Sequence, residues 1–414
     1  MHYGFKIKAK FICISILFLL NVWVGFAENP ARRIINFGGY EREYLLYIPE
    51  TAQSKFDGLI IGLHGYNSSM YTFFQDITLS KIADSLNYVL IAPQALPEKS
   101  QDVIDNAALL ESLTGQKFSL NSVWGCGLKV TVTTDLFGIN VTLLDKELNR
   151  TIDDAGFLDY LIDTTLSEYT INSKNLFLVG TSMGGYMSYQ YTLLHGSRLS
   201  GMVSIVGTMG TAIKGLENQV QIPICDFHSL TDEVVPYTGS YNLSGVLVTL
   251  GKSKSEVIDY WASKNETGTA TVENFPESNG IRVKKFTYPH PEHEVIHYQM
   301  DGSGHSYVFS KGNGDSMDYM EEILKFLAAH ATKDNTGINK INKQNLYFYP
   351  NPVKDKIHFT VESGSVSVYD LTGKLLLSQS FQAHQANLSA LKPGTYLIRI
   401  QSGGQISTAK FVKD

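Results

Sequence analysis

Three residues of types suited to nucleophilic and acid–base chemistry each follow an apolar run: Ser182, Asp232 and His305. Ser182 is the centre of Gly180-Thr181-Ser182-Met183-Gly184, a G-x-S-x-G pentapeptide, after Leu176-Phe177-Leu178-Val179 and before a helical-looking segment, Tyr186 to His195. That context predicts a sharp turn from a buried strand into a helix, with a strained serine backbone and neighbours too small to block it. Such a turn lifts Oγ above the sheet. It also aims the first N–H groups of the helix, Met183 among them, at any negative charge that develops there.

The partners of a serine nucleophile are sought downstream. Ile222 to Phe227 reads as a strand, and the loop after it, His228 to Tyr237, carries Asp232. An acid just past the carboxyl end of a parallel strand lies on the same rim as Ser182. Asp226 competes for the role, but it falls inside the strand. Glu294 to Met300 reads as the last strand of this region, and Gly302-Ser303-Gly304-His305 follows it. The chain order Ser182, Asp232, His305 matches the nucleophile, acid, base order of this type of sheet. His305 would take the serine proton and return it to a leaving alcohol, and Asp232 would hold the imidazole tautomer. A second oxyanion N–H is expected from Tyr66, because Gly58 to Leu63 is a buried-strand run that ends in His64-Gly65-Tyr66.

His293-Glu294-Val295-Ile296-His297 spells H-E-x-x-H. Its histidines meet a metal only on a helix, and Pro289, Pro291 and the β-branched residues argue for a strand. No metal or cofactor is expected.

The elements that must position these residues read as an α/β fold with a mostly parallel, doubly wound sheet. Glu43 to Pro49, Gly58 to Leu63, Tyr88 to Pro93 and Gly201 to Val206 are further strand candidates, and Thr78 to Leu86 and Ile152 to Ile162 are helix candidates. Between them, Gln94 to Asn149 contains Trp124-Gly125-Cys126-Gly127 and a Thr/Val-rich stretch, Lys129 to Thr142, that suits an inserted hairpin.

At 414 residues and 43% hydrophobic composition the chain has room for one large domain and a small one. A net charge of −6 gives no basic footprint for nucleic acid. Residues 1–27 read as a secretory signal peptide: Lys6, Lys8 and Lys10, an apolar run from Phe11 to Phe26, and small residues before Glu28. After cleavage no integral membrane segment is expected. Cys126 and Cys225 are then the remaining cysteines, an even pair that in an exported chain could form a disulfide.

Residues 28–330 form the expected catalytic domain. A polar stretch, residues 331–344, reads as a linker. Residues 345–414 show short alternating strands such as Val366 to Asp370, the turn Leu371-Thr372-Gly373-Lys374, and Pro393-Gly394-Thr395-Tyr396, the pattern of a small all-β sandwich.

With Leu63-His64-Gly65, Asp153 to Phe157, Gly180 to Gly185, His228 to Tyr237 and Gly302 to His305 in this order, residues 40–330 resemble the secreted polyhydroxybutyrate depolymerase and feruloyl esterase family of α/β-hydrolases, which includes acetylxylan esterases. The chain has Ser229 and Leu230 where the family's acid loop has Gly-Thr, and Tyr307 and Val308 where a tryptophan and proline commonly follow the histidine. The tail resembles the C-terminal sorting domain of type IX secretion, through Tyr349-Pro350-Asn351-Pro352, Tyr369 to Lys374 and Gly394-Thr395-Tyr396. The resemblances imply an exported serine esterase whose partners are the secretion machinery and an ester-bearing polymer or oligomer. Acetyl or hydroxycinnamoyl esters of plant polysaccharides are the leading expectation and aliphatic polyester the second. A serine peptidase of the same fold is the third reading, because the three residues alone do not separate amides from esters. Against a binding protein on a disabled hydrolase scaffold, the remaining reading, all three positions carry competent residue types.

Overall fold

The structure, a computed structural model, describes residues 30–414 apart from 50–54, 115–116, 118, 307–310, 312–313, 333–347, 350–351, 360, 372–373 and 403–404. The expected signal peptide, nearly all of the expected linker, Pro350-Asn351 and Tyr307-Val308 lie outside the described residues. The chain divides into two compact units, Met1–Thr332 and Lys333–Asp414.

Among the described residues of the first unit, ten strands form one sheet. From edge to edge it runs Ala31–Phe37, Tyr40–Tyr47, Tyr88–Pro93, Gly58–Leu63, Leu176–Thr181, Gly201–Ile205, Ile224–Ser229, Val295–Asp301, Arg282–Tyr288 and Thr271–Asn274. The six central strands, Tyr88–Pro93 through Val295–Asp301, are parallel. Two antiparallel strands close each edge. The central strands carry continuous apolar runs because helices cover both faces. Leu59, Ile61, Leu178 and Met202 pack on one side with helices Asp154–Glu168, Met183–His195 and Lys254–Lys264. Ile60, Phe177, Val203 and Phe227 pack on the other with helices Met70–Asp76, Leu79–Leu86 and Tyr319–Ala329. This is the mostly parallel, doubly wound sheet of an α/β-hydrolase.

The chain leaves Gly58–Leu63 toward one side of the sheet, to Tyr88–Pro93, and places Leu176–Thr181 on the other side. Strand order reverses there, and a crevice opens beyond the carboxyl ends of the strands. Two hairpins adjoin the loops at that end. Lys129–Leu136 pairs with Ile139–Glu147, as the Thr/Val-rich pattern predicts, and Ser240–Leu243 pairs with Val246–Thr249; together they form a four-stranded antiparallel sheet. The second hairpin has no clear signature in the sequence.

Beneath the insertion, Arg42 and Asp154 form a buried ion pair at 2.6 Å. Asp154 Oδ2 also accepts the Gly125 N–H at 2.7 Å. Burial pushes the Asp154 carboxyl above its ordinary value, and Arg42 opposes that shift.

Among its described residues the second unit consists of two antiparallel sheets. One contains Phe348–Tyr349, Lys356–Phe359 and Gln385–Asn387, the other Leu375–Phe381, Gly364–Tyr369, Gly394–Ser402 and Gln405–Lys413. They enclose a core of Val353, Ile357, Val366, Val368, Ile398, Ile400 and Phe411. The alternation of buried and outward residues along Gly364–Tyr369 is the period-two signal of the sequence.

The disulfide expectation is corrected. Cys126 and Cys225 are both free and buried. Cys126 packs in the core on one side of the sheet and Cys225 in the core on the other, so the strands themselves separate the two sulfurs. Under denaturing conditions without reductant, Cys126 and Cys225 are therefore expected to react fully with a thiol reagent; an intact mass that rises on reduction would contradict this. Asp154→Ala leaves Arg42 as an unpaired buried charge. It should lower stability by about 3–5 kcal/mol in chemical denaturation, and a loss under 1 kcal/mol would show the pair to be dispensable.

Candidate active site

Ser182 has φ 52° and ψ −119°, a strained backbone conformation for a residue with a side chain. Its N–H donates to the Ile205 carbonyl at 2.7 Å, and its own carbonyl accepts from Gly185 at 2.8 Å, so hydrogen bonds on both sides hold the turn. A Cβ at Gly180 would stand 2.2 Å from the Gly184 carbonyl oxygen, and one at Gly184 would stand 2.2 Å from that of Leu63. The G-x-S-x-G pattern is thus a statement about backbone proximity. The helix begins at Met183, three residues earlier than its apolar pattern suggests, because the turn at Ser182 feeds straight into it.

Ser182, His305 and Asp232 lie in one hydrogen-bonded line. Nε2 of His305 is 3.0 Å from Ser182 Oγ, and Nδ1 is 2.7 Å from Asp232 Oδ2. The other carboxylate oxygen, Oδ1, accepts the N–H groups of Val234 and Val235 at 2.9 and 2.8 Å. Burial would raise the Asp232 carboxyl, but His305 and the Val235 N–H hold it below its ordinary value. The acid and histidine loops are stitched together by Thr231, whose Oγ1 accepts from Gly302 and Gly304 at 3.1 and 3.3 Å.

His64 is buried in the loop opposite Ser182. Its Nε2 accepts the Ala95 N–H at 3.0 Å, which assigns the proton to Nδ1, and Nδ1–H donates to the Gly65 carbonyl at 2.7 Å. Burial pushes the imidazole down to about 4, so this histidine is neutral and structural. Trp124 Nε1 donates to the His64 carbonyl at 2.9 Å. Through Gly125 and Asp154 the insertion therefore fixes the loop that carries Tyr66. The Tyr66 hydroxyl donates to the Ser119 carbonyl, while Met183, first in its helix, presents an N–H without an intrahelical acceptor.

Asp226, the competing acid, belongs to a separate buried cluster that the sequence does not announce. Lys254 Nζ reaches it at 2.7 Å, His297 Nδ1 at 2.8 Å and the Tyr189 hydroxyl at 2.9 Å. Burial opposes ionisation there, but Lys254 and His297 pull Asp226 well below its ordinary value. Lys254 also donates to the Gly207 carbonyl at 2.5 Å. Gly207 packs so closely on Ser182 that a Cβ there would lie 2.7 Å from the Ser182 carbonyl oxygen. His228 bridges this cluster to the acid loop, with Nδ1 3.1 Å from Gly207 O and Nε2 2.8 Å from Val235 O. The H-E-x-x-H segment supplies His297 to this cluster from the strand Val295–Asp301, and His293 lies before that strand begins. Among the described residues no group of three or more His, Cys, Asp or Glu side chains could hold a metal ion.

A cleft of about 210 Å³ opens at Ser182 and His305, lined also by Gly65, Tyr66, Phe73 and Val234. A larger depression of about 590 Å³, at Lys174, Arg198 and Ser200, includes none of the three aligned residues. Among the described residues no helix is long and apolar enough to cross a membrane.

Residues 137–276 match the family model described as phospholipase/carboxylesterase, and residues 347–414 match the secretion system C-terminal sorting domain. The latter indicates export by type IX secretion to the cell surface or beyond. No curated protein sequence matches the chain. Similar solved structures include a thermostable esterase, at 13% identity and TM-score 0.41, covering 73% of this chain and 63% of its own length. An acetyl xylan esterase from Aspergillus awamori is 12% identical with TM-score 0.46, covering 72% of this chain and 99% of its own. An S-formylglutathione hydrolase from Agrobacterium tumefaciens is 12% identical with TM-score 0.45, covering 73% and 95%. The sheet topology is that of the α/β-hydrolase fold, and the family match covers its residues 137–276.

Proposed function

We propose that the chain is an exported serine hydrolase of carboxylic esters in which Ser182, His305 and Asp232 act as nucleophile, base and orienting acid. The observation that carries this reading is the hydrogen-bonded line from Asp232 through His305 to Ser182 Oγ at the mouth of a cleft. Ser182 Oγ attacks the ester carbonyl carbon as its proton passes to His305 Nε2. The carbonyl oxygen takes up the negative charge, which the N–H groups of Met183 and Tyr66 stabilise. Collapse expels the alcohol, which leaves with the proton from His305. Water, deprotonated by His305, then attacks the acyl-enzyme, releasing the acid and restoring Ser182. Asp232 accepts from Nδ1–H throughout and favours the imidazolium that forms at each step.

The preferred substrates are acetyl or hydroxycinnamoyl esters on plant polysaccharides, since an exported esterase meets polymers outside the cell. The small cleft, below the roughly 300 Å³ at which drug-sized pockets begin, favours the shorter acetyl group. Ser182→Ala should abolish labelling by a fluorophosphonate probe and lower kcat by on the order of 10⁴ or more, and Asp232→Asn should lower it by about 10⁴ through loss of the tautomer. Labelling that persists in Ser182→Ala would defeat the assignment. Incubated with acetylated xylan, feruloylated arabinoxylan and hydroxybutyrate oligomers, the wild type should release acetate from xylan and Ser182→Ala should not. Turnover confined to the hydroxybutyrate oligomers would replace the substrate class and keep the mechanism.

A further inference from the structure

The cleft has two kinds of wall. Phe73, Ile77 and Val234 are apolar, whereas Ser68 and Asp76 bring a hydroxyl and a carboxylate to the same space as Ser182 and His305. Asp76 is exposed and ends the helix Met70–Asp76. A negative charge is disfavoured there, because the carbonyls of the last turn give a helix C-terminus a partial negative charge. That last turn holds no basic residue. Among the described residues no cation or hydrogen-bond donor engages the Asp76 side chain, although ion pairs answer acids elsewhere on the surface, such as Glu43 with Arg32 and Asp301 with Arg282. A carboxylate kept at an unfavourable helix end, uncompensated, inside a cleft that has a nucleophile at its base, has its natural complement in the ligand.

Resting on the esterase reading, we infer that Asp76 is a specificity-determining residue that selects an uncharged, hydroxyl-bearing alcohol portion and rejects an anionic one. The carboxylate is an acceptor for two or more hydroxyl hydrogens, with the hydroxyl of Ser68, which lines the same cleft, as a further donor or acceptor. The same charge repels a carboxylate on the incoming ester. Glu233 reinforces the field from the histidine side: its Oε1 would lie 4.0 Å from a Cβ placed at Gly304. The substrate class that fits is an ester carried by a neutral sugar rather than by a uronate-rich chain or by a polyester end that carries a free carboxylate.

The test uses two acetyl esters that differ only in the charge of the alcohol portion, 4-acetoxybenzamide and 4-acetoxybenzoate, so that the acyl-enzyme is common to both. For the full chain, kcat/KM should favour the neutral ester, after correction for the reactivity of each ester toward hydroxide. Asp76→Asn should reduce that preference by about five-fold, the effect expected of one unit charge acting over several ångströms in a water-filled cleft, and Asp76→Lys should reverse it. Added salt should erode the wild-type preference, since exposed charges are screened within about 10 Å at 0.1 M. Equal preference in wild type, Asn and Lys chains would overturn the inference and leave the esterase reading intact. Turnover of neither ester, or turnover that survives Ser182→Ala, would overturn the esterase reading and the inference with it.

Discussion

The backbone of Ser182 is the constraint to which the rest of the first unit answers. A side chain at φ 52° is held only where surrounding structure over-determines it. Here that structure is the carbonyl of Ile205, the N–H of Gly185 and the near contacts of Gly180, Gly184 and Gly207 with neighbouring backbone. These contacts tie the ends of strands Gly58–Leu63 and Gly201–Ile205 to the turn. The parallel sheet therefore does more than carry the serine. Its strand spacing fixes how near Leu63, Ile205 and Gly184 come to one another, and the room left over is the room for Oγ.

Around that turn, polar contacts rather than apolar packing set the finer geometry. Thr231 links the acid loop to the glycines before His305, and Val234 and Val235 tether one oxygen of Asp232 so that the other faces the imidazole. Behind them Lys254, Asp226 and His297 form a buried charged group that grips Gly207. Removing one member of such a group strands the others in low dielectric, so a cluster of this kind gives rigidity by making its alternatives expensive.

Much of this was legible in the sequence for a simple reason. The central strands are buried on both faces, so they read as unbroken apolar runs, and Ser182, Asp232 and His305 each follow such a run. The edge strand Ala31–Phe37 is half-exposed and mixes arginine with isoleucine, which erases the signal. The hairpin Ser240–Leu243 with Val246–Thr249 is short, and its partner strand lies more than a hundred residues earlier. The buried role of Lys254 was hidden because a lysine at a helix start looks solvated until Asp226 is known to lie behind it. The free thiols show the same limit from the other side: an even number of cysteines says nothing about which face of a sheet each one occupies.

The order in which the strands pair has a consequence for folding. Ser182 and Asp232 follow strands in the middle of the sheet, but His305 arrives only after Val295–Asp301 has docked in parallel on Ile224–Ser229. That pairing closes a loop of some seventy residues, so it comes with a chain-entropy penalty that local contacts do not share. An emerging or partly opened chain can hold its serine turn complete and still lack His305 beside it. On the proposed mechanism the protein would be inert until Val295–Asp301 is in place, and local opening of that one pairing would silence it while the remaining sheet stays folded.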